Sequence, residues 1–440
     1  MRFQLPHPLV LLLAGVAAAA MLTWVLPAGT YERRLDEASG RQLVVPGTYT
    51  VTPSAPVGIK AAVMAVPLGI VAGADVILTV LLVGGAFALL EATGALGRLV
   101  GSLVGSTQRP RVVVIGISLG FATLGGLVNT HEEIIALVPT LLVLSRSLGF
   151  GSITALAMSV GAAVVGSAFG PTNPYQTGIA LRFAELPPMS QPVLRFALFG
   201  AAVTIWIAWT VLMVKRDEVI DETVAVATPS PATRRDLLLL ALAVLPFVPY
   251  VIGVVRFDWG FNELSAIFLV IGFAIGLASG LNLTQTSVAF LKGMEGMLAA
   301  GLFIGVARGI SIVLTDGLVI DTIVQALAAP LSYAPGYVAA LMMIPMHAIL
   351  HIPVPSVSGH AVLTMPIMGP LSDLLGIGRD AAVIAYQAGA GLMDMITPTN
   401  GALLAMLLGA KVGYGRWLRF AIPGAMLVGL VAAVGIVIAA

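Results

Sequence analysis

Cysteine is absent from the 440 residues, so disulfides, thiolate nucleophiles and thiolate metal centres are excluded. Charge is scarce as well. Asp, Glu, Lys and Arg make up 10% of the chain, and 22 basic against 21 acidic residues leave a net charge of +1. Such a balance offers no basic footprint for a nucleic acid. No GxxxxGK[ST] loop occurs, which argues against ATP-driven work by this chain. "SVSGH" lacks the leading glycine of a nucleophile elbow. "MHAILH" spaces His347 and His351 four apart but lacks the glutamate of the zinc-protease pattern. Neither an enzyme nor a transition-metal centre is therefore expected.

What is present is apolar. Hydrophobic residues make up 58% of the sequence, and the mean hydropathy is +1.02. Several runs reach the roughly 20 residues that a helix needs to cross a bilayer. The pattern predicts an all-α polytopic membrane protein with nine full spans, at 8–27, 74–96, 152–180, 193–214, 237–254, 262–281, 298–314, 380–408 and 420–439. The first run ends in "TWVLPAGTY" without a small-x-small cleavage site, so it reads as a retained span. Two further segments, 111–147 and 337–375, are apolar but interrupted at their centres, and read as re-entrant hairpins. Polar stretches interrupt the pattern at 28–60, where a loop with a small hairpin is expected, and at 215–236, a charged linker with a Pro/Ser/Thr middle.

An internal repeat organises these segments. "GPTNPY" at 170–175 recurs as "TPTNGA" at 397–402, an offset of 227. The same offset carries Pro139 onto Pro366 and "LGFG" at 148–151 onto "LGIG" at 375–378, and 11 of the 35 ungapped positions from 139 to 173 are identical. With the N-terminus cytoplasmic and the C-terminus periplasmic, thirteen Lys and Arg residues fall inside and eight outside, in keeping with the positive-inside rule. The two hairpins then enter from opposite sides. Inverted repeats with broken helices characterise secondary transporters. The expected organisation is a first span and outer loop (1–60), repeat 1 (61–214, with hairpin 111–147 and broken span 152–180), a cytoplasmic linker (215–236), connecting scaffold spans (237–297) and repeat 2 (298–440, with hairpin 337–375 and broken span 380–408).

The chemistry-bearing residues sit at the interruptions. Each Pro-Thr-Asn lies mid-span, where proline frees carbonyls of the preceding turn and Thr or Asn can bond backbone or coordinate a cation. Thr172, Asn173, Thr399 and Asn400 are thus candidate substrate or ion ligands. The second hairpin tip, "IPVPSVSGHAVLTMP", sets Ser356, Ser358 and Gly359 where a helix would begin, suited to an anion. The first tip, "VNTHEEII", sets Glu132 and Glu133 there instead, suited to a cation or proton; capping of their own helix is the alternative. Asp394 precedes Pro398 by four residues and joins the ion-coupling candidates Glu132, Glu133, Asn173 and Asn400; a helix cap or an Arg partner is an equal reading. Arg308, Asp316 and Glu91 read as ion pairs or gating residues.

"LPAGTY", "HEEIIALVP", "PSVSGHAVLTMPIMGPLSDLLGIGRDAAVIAYQ" and "ITPTN" resemble the YfcC/DcuC-type carriers of the ion transporter superfamily, over about residues 8 to 435. The resemblance implies a carrier of the bacterial inner membrane, usually dimeric, with a scaffold and an elevator-type transport domain holding both hairpins and both broken spans. It implies substrate contacts at Asn129, Thr130, Glu132, Glu133, Thr172, Asn173, Ser356, Ser358, Thr399 and Asn400. "VNTHEE" and Asp394 depart from the family pattern. Such carriers are associated with basic amino acids such as arginine and ornithine, or with C4-dicarboxylates. A dianion facing the Glu pair would be repelled, and neither tip carries Lys or Arg, so an amino acid is favoured and a sodium- or proton-coupled dicarboxylate carrier is the alternative. The expected partners are a small-molecule substrate, membrane lipid and a second copy of the chain, with no cofactor beyond sodium or a proton as coupling ion.

Overall fold

The computed structural model describes residues 7–36, 41–95, 98, 109–129, 131–187, 189–213, 233–245, 247–257 and 259–440. Most of the 215–236 linker and Thr130 therefore lie outside the described residues. The protein is an all-α polytopic membrane protein. Among the described residues, eight helices are long and apolar enough to cross a membrane. Lipid offers no partner for an open backbone, and a helix satisfies its own. Proline opens the first helix (Pro8–Val25) and also Pro110–Val128 and Pro192–Met213, at the position where its missing N–H is not needed. In the 28–60 loop, Gly29–Thr30 pairs with Thr50–Val51 and Arg33–Asp36 with Arg41–Val44. This ribbon is anchored on helix Ile320–Ala328: Tyr31 N–H donates to Asp321 Oδ2 at 2.9 Å and Arg33 Nη2 to Oδ1 at 2.8 Å.

Four helices form two crossings of the same kind. Ile59–Ala72 packs on Leu298–Asp316, and Leu283–Glu295 packs on Ala74–Ala92. Small residues let the backbones approach, as in other membrane helix pairs. A Cβ on Gly69 would lie 2.6 Å from Gly309 N, and one on Gly293 would lie 2.7 Å from Gly84 O. Gly69 and Gly293 stand 224 residues apart, as do Gly85 and Gly309. The short helices Ile59–Ala72 and Leu283–Glu295 escape a search for spans because they have 14 and 13 residues, below the length that crosses a bilayer.

The interrupted segments break where the sequence indicates. In 111–147, Pro110–Val128 gives way to a non-helical stretch that ends at Ile134–Ser147. In 337–375, Gly336–His351 and Val357–Leu374 flank residues 352–356. Segment 152–180 comprises Ser152–Leu156, a π-turn at Ala157–Gly161, Ala162–Phe169, an extended break, and a resumed helix from Pro174 to Phe183. Segment 380–408 comprises Arg379–Tyr386, a π-turn at Gln387–Gly391, a longer break, and Gly401–Gly409. The span expected at 237–254 instead forms two helices, Arg234–Val244 and Phe247–Phe257. Pro246 falls between them in the chain, and proline cannot continue the ladder.

A buried polar network ties the two broken segments together. Arg195 donates to Asp380 Oδ1 at 2.7 Å and to Gln387 Oε1 at 2.8 Å, and Gln387 donates to Ala168 O and Thr177 Oγ1, each at 2.8 Å. Removing one partner of a buried ion pair leaves an uncompensated charge and costs roughly 3–5 kcal/mol. Asp380→Ala should therefore lower the thermal midpoint of the purified protein well below that of Arg195→Ala/Asp380→Ala. Equal midpoints for the single and double variants would show that the pair does not act as a clamp.

Candidate functional site

Each Pro-Thr-Asn does the same two jobs in its break. Asn173 is fully buried. Its Oδ1 accepts the N–H groups of Tyr175 and Gln176 at 2.9 and 3.0 Å, restarting the helix. Its Nδ2 donates to Gly125 O, Ser167 O and Asn129 Oδ1, each at 3.2 Å. Those bonds hold the end of Pro110–Val128, where Asn129 adopts a left-handed φ of 61°. In the second break, Asn400 Oδ1 accepts Leu403 N–H at 3.0 Å, and its Nδ2 donates to both Asp394 O and Oδ1 at 3.1 Å. Thr399 Oγ1 donates to Ile352 O at 2.6 Å, and Thr172 Oγ1 to Gly126 O at 3.4 Å. Both motifs therefore cap a resumed helix and tie it to the interruption of segment 111–147 or 337–375.

The two tips meet at a cavity of about 100 Å³. Asn129, Glu132 and Glu133 line it from the first tip, and Ser356 and Ser358 from the second. Asp394, Thr399 and Asn400 line it from the second break. Thr172 and Asn173 do not line it, and Asn173 acts from behind by holding Asn129. Gly359 lines a neighbouring cavity of about 430 Å³, which Gly29, Thr30 and Arg33 of the β-ribbon also line. Arg308, Ser311 and Ser356 line both cavities.

Charge in the cavity is unevenly satisfied. Glu133 takes the N-cap position of Ile134–Ser147 but makes no capping bond with its side chain, and its buried Oε2 has no hydrogen-bond partner. Asp394 pairs with histidine rather than arginine: His351 Nε2 lies 2.9 Å from Oδ1, and His131 Nε2 lies 3.9 Å from Oδ2. Across from the carboxylates, Arg308 projects from Leu298–Asp316, and among the described residues it makes no hydrogen bond or ion pair. Charge in a membrane interior costs several kcal/mol or more, and the cavity places charges of both signs on its wall.

Arg308, His131, Tyr175 and Tyr250 also line the cavity and were not among the expected ligands. For Arg308 the signal was available, since one guanidinium inside an otherwise apolar span marks a functional position by default. The tyrosines carried no comparable signal in the sequence.

A model of the C4-dicarboxylate anaerobic carriers, DcuC, matches residues 5–440. The chain belongs to the DcuC family. Relatives include YfcC of Escherichia coli, provisionally described as a basic amino acid antiporter, at 27% identity over 98% of this chain and 94% of its own. An uncharacterised protein of Haemophilus influenzae is also 27% identical, over 96% and 94% of the two chains. Two solved structures align over nearly the whole length at lower similarity. The YdaH transporter of Alcanivorax borkumensis gives a TM-score of 0.48 at 18% identity, covering 98% of both chains. MtrF of Neisseria gonorrhoeae, described with a class of antimetabolite efflux pumps, gives 0.45 at 15% identity, covering 99% of this chain and 95% of its own. As a DcuC-family protein the chain is a multi-pass secondary transporter of small polar or charged solutes.

The asparagine clamps of this DcuC-family protein are open to a direct check. Leaving buried polar groups unpaired costs about 1–3 kcal/mol. Asn173→Ala should lower the thermal midpoint by clearly more than Thr172→Ala, whose longer bond lies at an exposed side chain. Equal shifts would remove the clamp role.

Proposed function

We propose that the chain moves a small carboxylate-bearing metabolite across the bacterial inner membrane, with a basic amino acid such as arginine or ornithine the favoured solute. The observation that carries this reading is the placing of Arg308, which makes no hydrogen bond or ion pair among the described residues, with Glu132, Glu133 and Asp394 around one cavity. The solute carboxylate would take Arg308 and the Ser356/Ser358 tip, where a helix begins. Its amine or guanidinium would take the acidic side. At about 100 Å³ the cavity is smaller than the ~300–1,000 Å³ of most small-ligand pockets, so the tips would separate as the solute enters. The larger neighbouring cavity, beside the outer ribbon, supplies the route.

A C4-dicarboxylate is the second reading. Arg308 and His131 are cationic or ionisable groups that would meet a second carboxylate, although both tips lack Lys and Arg. The family description also fits it.

Alternating access would follow from the doubled architecture. In this reading 111–147 and 337–375 are hairpins that enter from opposite faces, and with broken spans 152–180 and 380–408 they form an elevator-type transport unit. The reciprocal glycine crossings at Gly69 and Gly293 belong to the scaffold, which pairs in a homodimer. The N-terminus would be cytoplasmic and the C-terminus periplasmic. Coupling would be to an ion gradient, sodium or proton, or to exchange.

Counterflow in proteoliposomes loaded in turn with arginine, ornithine or succinate tests the reading. Loss of a hydrogen bond to a charged group is worth about 1.5–3 kcal/mol, or roughly 10- to 100-fold in affinity. Arg308→Gln should raise the half-saturation for the transported solute by about that factor. Glu133→Gln should do the same for an amino acid and leave succinate unharmed. Transport of none of the three, or indifference of the transported one to Arg308→Gln, would contradict the assignment.

A further inference from the structure

Four of the five histidines in the chain gather on one side of the proposed solute cavity. His131 belongs to the first hairpin tip. His347 and His351 lie on Gly336–His351, and His360 lies on Val357–Leu374. His347, His351 and His360 are completely buried, and His131 nearly so. They form a chain with Asp394. His131 and His351 flank its two carboxylate oxygens at 3.9 and 2.9 Å. The His351 and His360 rings lie 5.6 Å apart, and His347 Nδ1 is 2.8 Å from His360 Nε2.

The arrangement is expensive for a merely structural role. His347 Nε2, His351 Nδ1 and His360 Nδ1 are buried without any hydrogen-bond partner. Each unpaired nitrogen costs about 1–3 kcal/mol, and apolar side chains of similar size would fill the space without that cost. At the offset of 227, Glu133 stands opposite His360, but Gly120, Leu124 and Ser167 stand opposite His347, His351 and Asp394, and the Ser167 hydroxyl donates to Gly125 O at 3.1 Å.

A transition metal does not suit the cluster. His347 and His360 touch nitrogen to nitrogen, with no room for an ion between them, and among the described residues no group of three or more ligands is placed to hold a metal. Sodium does not suit it either, because imidazole nitrogen is a poor partner for a hard cation that prefers oxygen. What imidazole and carboxylate share is affinity for protons, and buried chains of Asp and His serve as proton relays in membrane transporters.

We propose that Asp394 with His131, His351, His360 and His347 is the proton-binding site that couples transport. The proposal rests on the cavity being the solute site. Asp394 and His131 line that cavity, whereas His347, His351 and His360 lie behind it. Protons therefore reach the cluster through the solute chamber. Beyond His347 the chain is closed: Tyr386 packs against the His347 and His360 rings, and its hydroxyl is committed to Val357 O at 2.7 Å. The cluster is thus a store loaded from the cavity and not a wire across the membrane. The charged groups about it are Glu132 and Glu133 beside His131, and Arg308 and Asp75, which act on Glu132; Asn400 donates to Asp394. A cationic solute at Asp394 would compete with the proton there, which is the logic of exchange.

Two measurements test the proposal. Imidazole nitrogen NMR of the full chain in nanodiscs, without solute, should show ring-nitrogen signals of the cluster that respond to pH, and Asp394→Asn should change that response. In proteoliposomes, a pH gradient at equal sodium should drive uptake of the solute found by counterflow. His351→Gln should then reduce that uptake at least tenfold more than it reduces counterflow. Uptake driven by sodium and indifferent to pH would overturn the proton site while leaving the transporter reading intact. Cluster signals that do not respond to pH while the protein stays folded would overturn it whatever is transported. Absence of counterflow for arginine, ornithine and succinate would defeat the transport reading and the coupling role with it.

Discussion

Breaking a helix inside a membrane is possible only if the freed backbone groups find partners in the protein. Two asparagines meet that demand here, and the site depends on them. Asn173 and Asn400 each restart a helix with the side-chain oxygen and hold neighbouring structure with the side-chain nitrogen. The held structure differs between halves. Asn173 fixes Asn129 at the first tip, whereas Asn400 fixes Asp394, a carboxyl group, beside the cavity. One motif, used twice, therefore supports an amide corner in one half and a titratable corner in the other.

That difference accounts for much of the electrostatics. Carboxylates from the first tip and the second break face Arg308, which comes from a helix outside the tips and breaks. Arg308 lines both cavities, so the base stands on the wall that they share.

Much of this was legible in the sequence, for identifiable reasons. The breaks were readable because Pro-Thr-Asn in an apolar span has few other uses, and the tips because polar residues interrupt apolar runs at their centres. The two jobs of each asparagine were not readable, since capping and clamping depend on which carbonyls come near in space. Gly69 and Gly293 went unnoticed because their helices are too short to register as spans. Spacing alone set His347 and His351 one turn apart, and only packing showed that one faces Asp394 and the other His360. Arg308 was visible as an isolated charge, but its side of the helix was not.

The absence of cysteine permits the most direct test, because a single introduced thiol has no background. Ser358→Cys places that thiol at the second tip, on the cavity wall. Its rate of modification by a membrane-impermeant maleimide should fall in the presence of the solute that the protein carries, and stay unchanged with solutes that it does not carry. An unchanged rate in saturating transported solute would show that the solute does not occupy the cavity between the tips.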